Sequence, residues 1–168
     1  MNMITTDRLV LRPPGEADLA DMLTLWGDAR VLRHIGRPAT REEVWARLLK
    51  YAGHWSLFGF GYWMVRDAAN GRFLGEAGVA FQERGQGGGD PEAGWAFTFD
   101  AQGKGYASEA LGAMLAWADM TFGWPRITCL IGADNVASLR LADRHRFRRC
   151  GDVTLAGEPI GLFERLEA

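Results

Sequence analysis

The residues with the clearest chemical meaning form a glycine-punctuated loop directly before a helical pattern. The loop reads Gln102-Gly103-Lys104-Gly105-Tyr106-Ala107-Ser108. Glycine lets the backbone turn sharply and approach a ligand closely. The first N–H groups of the following helix lack intrahelical partners and carry the positive end of the helix dipole, so they favour a bound anion. The sequence therefore predicts that the backbone of residues 103–108 binds a phosphate or pyrophosphate group.

The spacing of this loop distinguishes three phosphate-binding motifs. A P-loop needs glycine at position 98 and Ser or Thr at position 105, where this chain has Thr98 and Gly105. A dinucleotide-binding fingerprint needs a third glycine at the position of Ser108. The third pattern, Gln/Arg-x-x-Gly-x-Gly/Ala, is matched in full by Gln102, Gly105 and Ala107.

The matched pattern resembles the coenzyme A loop of the GNAT (Gcn5-related) acyltransferases, and the surrounding segments resemble other elements of that superfamily. A strand pattern at 92–99 leads into the loop, and a second at 126–131 leads to Asn135. Residues 135–147 are similar to the superfamily's Asn-x-x-Ala/Ser-x-x-Leu-helix-Gly-Phe element, although Arg146 replaces the usual glycine before Phe147. Residues 6–13 resemble the opening strand of the RimJ/RimL-like branch, which acetylates protein N-termini and assorted small amines. These segments cover nearly the whole chain in the expected order.

Hydrophobic periodicity predicts the elements that position the loop. The predicted order is β-α-α-β-β-β-α-β-α-β-β, with strands at 8–12, 62–66, 73–81, 92–99, 126–131, 147–155 and 159–166 and a long helix at 106–122. The two early helices cover 16–26 and a segment opened by the capping box Thr40-Arg41-Glu42-Glu43. The glycine-rich residues 82–91 are expected to form a mobile loop.

The fold class that follows is a mixed α/β (α+β) sheet, mostly antiparallel and flanked by helices. A helical crossover makes the strands around residues 95 and 129 a parallel pair. The resemblance implies the GNAT-like acyl-coenzyme A N-acyltransferase fold, in which this pair is splayed. The length of 168 residues favours a single domain that covers residues 1–168.

Composition excludes several functional classes. A hydrophobic content of 48% with 24% charged residues is ordinary for a globular protein without membrane spans, and a net charge of −2 argues against nucleic acid as a main partner. Only Cys129 and Cys150 occur, and the N-terminus lacks an apolar leader, so a cytoplasmic location is expected. The three histidines show no metal-ligand spacing, so no metal site is expected.

The resemblance implies acetyl-coenzyme A as co-substrate. Gln102 would orient the loop or reach a phosphate, and the main chain near Phe97 would pair with the amide-rich pantetheine arm like an added strand. The expected cofactor-binding residues are Phe97, Thr98, Phe99, Gln102, Gly103, Lys104, Gly105, Tyr106, Ala107, Ser108 and Asn135.

The acceptor, expected to be an amine, must lose a proton before it attacks. Two carboxylates, Glu92 and Glu76, lie in otherwise apolar strands. Glu92 is favoured as the general base, because members of the resembled family often use a glutamate on or beside this strand. Glu76 is the alternative base. Either could instead cap a strand or pair with an arginine. Many GNAT enzymes carry a tyrosine where this chain has Ala142, so Ser138 is the candidate acid for the leaving thiolate. The simpler interpretation is that Ser138 only forms hydrogen bonds with backbone groups at the start of its helix.

Seven tryptophans suggest an aromatic-lined pocket, with most of them expected in the core or at the face of a homodimer. The segments that should wall the acceptor site contain Trp26, Trp45, His54, Trp55 and Trp63. The sequence predicts an N-acetyltransferase acting by direct attack in a ternary complex. The competing interpretation is a non-catalytic acyl-coenzyme A-binding or sensor module. Ribosomal protein N-termini, amino acids, polyamines and drugs all remain candidate acceptors.

Overall fold

The computed structural model describes residues 2–83 and 89–166, so part of the expected mobile loop, residues 84–88, lies outside the described residues. The strands are β1 (Ile4–Thr5), β2 (Leu9–Arg12), β3 (Tyr62–Asp67), β4 (Phe73–Phe81), β5 (Pro91–Phe97), β6 (Arg126–Ile131), β7 (Arg148–Leu155) and β8 (Glu158–Leu166). The helices are α1 (Leu19–Gly27), α2 (Ala29–Leu32), α3 (Arg41–Phe58), α4 (Tyr106–Phe122) and α5 (Val136–Arg144).

The strands form one eight-stranded sheet in the order β1-β2-β3-β4-β5-β6-β8-β7. All neighbouring pairs are antiparallel except β5 and β6, which are parallel. Their ladder has a single register pair, Glu92 opposite Thr128, whereas β4 and β5 pair over seven positions. The mixed sheet with one splayed parallel pair is therefore confirmed, and the splay opens beyond Glu92.

The predicted boundaries of β4, α4 and β6 match the structure, because each carries a long, regular apolar pattern. The pattern did not predict β1 or α2, which have two and four residues and are too short to show a period. The strand expected at 92–99 ends at Phe97, since Phe99–Ala101 forms a 3₁₀ turn.

The helices cover both faces of the sheet. On one face α1 and α3 pack on β3 and β4 through a cluster that includes Met22, Val44 and Met64. On the other face α4 packs through Leu111 and Met114 against the larger cluster. The capping box of α3 is confirmed: the Thr40 hydroxyl accepts from the Glu43 N–H at 3.2 Å, and the Glu43 carboxylate accepts from the Thr40 N–H at 2.8 Å.

A buried carboxylate ties the start of α1 to the sheet. Asp18 is fully buried and accepts hydrogen bonds from Arg12 of β2 and Arg66 of β3 at 2.6 and 2.8 Å. Burial alone would raise the pKa of Asp18, but the hydrogen bonds from Arg12, Arg66 and the Gly15 N–H outweigh it, so the pKa is lowered. This ion pair network fixes the wall formed by α1 relative to the central strands.

The turn after α5 carries an arginine in a backbone conformation that is typical of glycine. Arg146 has a φ of 66°, in the left-handed region that usually takes glycine. A non-glycine residue there costs about 1–3 kcal/mol, which the surrounding structure must supply. The turn still brings Phe147 into the core, where it is 2% exposed.

Candidate active site

Two cavities meet where β5 leaves β6. A groove of about 540 Å³ runs along the end of β5, the 102–108 loop and α5, and a smaller cavity of about 200 Å³ lies between β5, β6 and the α1 and α3 layer. The residues that line both cavities are His34, Ile35, Trp95, Ala96, Asn135 and Ser138. We call this shared wall the junction.

The glycine loop has the predicted conformation. Gly103 and Gly105 have φ values of 73° and 82°, and Gly105 is the N-cap of α4 without a side-chain cap. The first N–H groups of α4 therefore remain available beside the groove. Several arginines line the same groove: Arg30, Arg33, Arg140 and Arg144. Backbone donors, a helix start and this positive charge together suit a polyanionic guest.

Arg8, which sequence reasoning missed, holds the loop from outside. Its Nη1 donates to the Lys104 carbonyl at 3.0 Å, its Nε donates to Glu109 at 2.6 Å, and its guanidinium lies 4.8 Å from the centre of the Tyr106 ring. A Cβ atom on Gly105 would lie 3.3 Å from Arg8 Nη2. The positive φ of Gly105 therefore favours glycine, and an added Cβ would also require the Arg8 guanidinium to move by a few tenths of an ångström.

The expectation that main-chain groups at the end of β5 are available to a pantetheine arm needs correction at Thr98. The Thr98 N–H donates to the Leu74 carbonyl at 2.9 Å, whereas the Phe97 carbonyl accepts from Gln102 Nε2 at 3.1 Å and keeps a second lone pair. Gln102 therefore orients the loop. Because strand groups alternate in direction, the main chain of Trp95 faces the splayed edge, together with the Phe97 carbonyl.

The remaining loop candidates divide into groove residues and residues outside it. Thr98 and Lys104 do not line the groove, whereas the others do: Phe97, Phe99, Gln102, Gly103, Gly105, Tyr106, Ala107, Ser108 and Asn135. Ser108 is held by a hydrogen bond of 3.0 Å between its hydroxyl and His145 Nε2. Arg30 packs over the Phe99 ring at 4.4 Å from the ring centre.

Glu76 is the buried carboxylate of the smaller cavity. It is 1% exposed and accepts hydrogen bonds from the Tyr51 hydroxyl at 2.6 Å and from Trp26 Nε1 at 3.2 Å. Burial raises the pKa of Glu76, although the Tyr51 hydrogen bond, the charge of Arg47 and the Trp26 hydrogen bond oppose the shift. Burial and the Glu76 charge likewise raise the pKa of Tyr51.

Glu92 also lines the smaller cavity, at the point where β5 and β6 begin to separate. Register pairs place Glu76 opposite Ala96 and Glu92 opposite Ala80, so both carboxylates lie on one face of the sheet. They are separated by four positions along β5, or about 13 Å in the strand direction. The cavity therefore carries one carboxylate fixed by the α1 and α3 layer and a second near the opening strands.

The junction holds the expected hydroxyl. Trp95 Nε1 donates to the Ser138 hydroxyl at 3.1 Å, which leaves the Ser138 hydrogen free to be donated elsewhere. Asn135 caps α5 by accepting the Ser138 N–H at 3.2 Å. Ala142 is fully buried in the core. His34, another residue that sequence reasoning missed, lies at the junction with its Nδ1 at 2.9 Å from Asp134.

The aromatic candidates are only partly confirmed as cavity residues. Trp26 lines the smaller cavity, but three others occupy packing positions and line neither cavity: His54, Trp55 and Trp63. His54 is 8% exposed, with Nδ1 at 2.7 Å from the Phe60 carbonyl and Nε2 accepting from the Phe81 N–H. Trp63 is fully buried and donates to the Asn2 carbonyl at 2.8 Å. The structure therefore places these three side chains outside both cavities.

Different aromatic residues line the smaller cavity. Tyr51 and Tyr62 stack with ring centres 4.5 Å apart and planes 2° apart. Tyr51 follows Arg47 by four residues on α3, so both lie on one helix face. In the sequence, Val44, Leu48 and Tyr51 recur at helical spacing, but this spacing gives no sign that the Tyr51 hydroxyl reaches Glu76.

No described helix has the length and apolar content needed to cross a bilayer. Within residues 2–83 and 89–166, no group of three or more His, Cys, Asp or Glu side chains is placed to bind a metal ion.

Comparisons with known proteins agree with this geometry. A family model described as an acetyltransferase (GNAT) domain matches residues 8–148. A structure described as a GnaT-family acetyltransferase from Bordetella pertussis is 37% identical, with a TM-score of 0.85 over 97% of this chain and 98% of that one. The uncharacterized protein YkkB of Bacillus subtilis (strain 168) is 28% identical over 96% of this chain and 94% of its own length. Spermidine N-acetyltransferase from Vibrio cholerae, solved with CoA and spermine, shares the fold at 16% identity, with a TM-score of 0.75 and 96% of each chain covered.

Proposed function

The chain belongs to the GNAT acetyltransferase family, and we propose that it transfers an acetyl group from acetyl-coenzyme A to a primary amine by direct attack in a ternary complex. The observation that carries the proposal is the junction. A groove suited to a phosphate-bearing donor and a cavity containing carboxylates share the wall formed by Trp95, Asn135 and Ser138. A thioester at this wall would face an amine in the smaller cavity.

The groove fits coenzyme A through named groups. The N–H groups of residues 103–108 would bind the pyrophosphate, and the arginines of the groove would neutralise the remaining phosphate charge. The pantetheine arm would pair with the splayed edge of β5 near Trp95. An N–H on that edge would donate to the thioester oxygen and stabilise the negative charge that develops there.

Glu92 is proposed as the general base, with Glu76 as the alternative. An ammonium cannot attack, so the carboxylate accepts one proton from the amine, directly or through water. The amine nitrogen then bonds to the carbonyl carbon as the carbon–sulfur bond breaks, and the nitrogen releases its one excess proton to water to give the neutral amide. An α-amine, with a pKa of about 8, suits such a base better than a lysine side chain with a pKa of about 10.4.

Ser138 is proposed as the proton donor to the departing thiolate. Its hydroxyl already accepts a hydrogen bond from Trp95, which orients the oxygen and leaves the hydrogen for the sulfur. A serine donor must itself regain a proton from water, so a water molecule at the same place is the alternative. We further propose that the enzyme is cytoplasmic and belongs to the RimJ/RimL-like branch, with residues 1–168 forming one catalytic domain.

Thiol release separates this enzyme from a non-catalytic coenzyme A-binding module of the same fold. The purified chain is incubated with acetyl-coenzyme A and a panel of amines that includes α-amino acids, N-terminal peptides and spermidine. We expect amine-dependent release of free thiol together with formation of the acetylated amine. Calorimetric binding of coenzyme A without thiol release for any amine would favour the binding module.

A further inference from the structure

Arg47 is a cation built into the smaller cavity, where it is linked to the Glu76 carboxylate through the Tyr51 hydroxyl and not by a direct ion pair. Its Nη1 donates to the Tyr51 hydroxyl at 3.2 Å, and its guanidinium lies 3.7 Å from the centre of the Trp26 ring. Within the described part of the chain, no Asp or Glu oxygen lies at ion-pairing distance from Arg47. Most of its five N–H donors therefore remain available to a ligand in the cavity.

The contacts that hold Arg47 are themselves fixed. Tyr51 and Trp26 donate to the two oxygens of the same carboxylate, Glu76, which is 1% exposed. Glu76 thus positions the hydroxyl and the indole ring that hold the guanidinium in place. A guanidinium that is already held in one orientation loses little conformational entropy when it binds a planar anion. Its two parallel N–H donors also match the two oxygens of a carboxylate.

Arg47 lies in the part of the smaller cavity outside the junction. The three residues Arg47, Tyr51 and Trp26 line the smaller cavity and not the groove, whereas the junction residues line both. A molecule whose amine lies at the junction can therefore extend its other end toward Arg47. The cavity volume of about 200 Å³ is below the roughly 300–1,000 Å³ of drug-sized pockets. It suits an acceptor of about the size of one amino acid.

We propose that the acceptor carries a free carboxylate, in the manner of an α-amino acid, which binds Arg47 while its amine lies at the junction. This substrate class rests on the proposed acetyltransferase function. The rings of Trp26, Tyr51 and Tyr62 line the same cavity and favour an apolar or aromatic side chain. A polyamine would place a second cation near Arg47, and a peptide N-terminus would offer it a neutral carbonyl.

The test compares three acceptors that share one side chain: L-phenylalanine, L-phenylalaninamide and phenethylamine. An α-amine next to an amide titrates at about 7.7–8.0, so the amide is the easier to deprotonate and intrinsic reactivity favours it. We expect the enzyme to reverse this order, with kcat/KM for L-phenylalanine about 10–100-fold above that for the amide, the factor expected for hydrogen bonds between charged groups.

Variants assign this preference to Arg47. In Arg47→Gln the ratio of kcat/KM for the acid to kcat/KM for the amide should fall to near one. In Arg47→Lys the ratio should be intermediate, because lysine keeps the positive charge but lacks the two parallel N–H donors of arginine. The matched control is Arg41→Gln, since Arg41 is exposed at the start of the same helix and lines neither cavity. Its ratio should equal that of the unmodified chain.

Binding provides a readout that does not need turnover. With coenzyme A present, N-acetyl-L-phenylalanine should bind about 10–100-fold more tightly than its amide, and Arg47→Gln should abolish the difference. Equal or better use of the amide, or binding insensitive to Arg47, overturns the carboxylate proposal while leaving the acetyltransferase function intact. Failure of every amine to release thiol counts against the function, and the binding comparison then still decides the role of Arg47.

Discussion

Alanine substitutions at three glycines separate the roles of the loop backbone and of Arg8. Gly103, Gly105 and Gly59 have similar φ values of 73°, 82° and 74°. A Cβ at Gly103 or Gly59 would meet nothing within 4 Å, whereas a Cβ at Gly105 would lie 3.3 Å from Arg8 Nη2. Alanine in this conformation costs about 1–2 kcal/mol at each position.

The expected affinities follow from these contacts. Gly59 ends α3 away from the groove, so Gly59→Ala should lower stability and leave coenzyme A affinity unchanged. In Gly103→Ala the strain falls on the anion-binding loop and should raise Kd by about 5–30-fold. In Gly105→Ala the added Cβ also displaces the Arg8 guanidinium slightly, which weakens its hydrogen bond to the Lys104 carbonyl. Arg8 is 48% exposed, so that loss adds only about 0.5–1 kcal/mol, for a total of about 10–150-fold.

Calorimetric titration with coenzyme A measures the affinities, and urea unfolding measures the three stabilities. Equal Kd values for Gly105→Ala and the unmodified chain would refute the assignment of the loop as the anion site. A Kd change in Gly59→Ala as large as that in Gly103→Ala would show that general destabilisation, and not local loop geometry, controls binding.

Three further predictions concern the acid–base groups and the buried ion pair. Glu92→Gln should lower kcat by about 10²–10⁴-fold with little change in coenzyme A affinity; full activity in Glu92→Gln with loss in Glu76→Gln would move the base to Glu76. Ser138→Ala should slow single-turnover acetylation most for the weakest acceptor amines, and uniform normal rates would assign thiolate protonation to water. Asp18→Asn should cost about 3–5 kcal/mol at pH 7, because it leaves Arg12 and Arg66 without their buried partner. Since the folded pKa of Asp18 is below its unfolded value near 3.8, its contribution is complete above about pH 4 and is lost as pH falls through the folded pKa. Urea unfolding at pH 7 and pH 3 should therefore show a smaller difference between the two proteins at pH 3.

Much of the fold and the donor side of the site could be predicted from the sequence. The strand at 73–81 and the helix at 106–122 carry apolar periods long enough to fix their boundaries. The anion loop depends on glycines and a helix start within a few residues of one another, so its conformation is a local property of the chain. The same locality explains why the capping box at Thr40 and Glu43 was found.

The acceptor side could not be predicted in the same way. Sequence reasoning favoured His54 and Trp55 on α3, whereas in the structure Arg47 and Tyr51 of the same helix line the smaller cavity. Positions 47 and 54 are about 10 Å apart along the helix axis, and only the crossing of α3 over the sheet decides which turn meets the cavity. The turn carrying His54 instead packs against Phe60 and Phe81, where backbone groups satisfy its ring.

The sequence by itself determined the family resemblance, the order of the elements and the place of the anion loop, because each depends on residue types at short spacing. The tertiary structure decided which distant side chains act together. Arg8 reaches the Lys104 carbonyl across 96 positions of the chain, and Tyr51 reaches Glu76 across 25. Such contacts depend on strand register and helix position, which are set by packing of the whole core and leave no local pattern in the sequence.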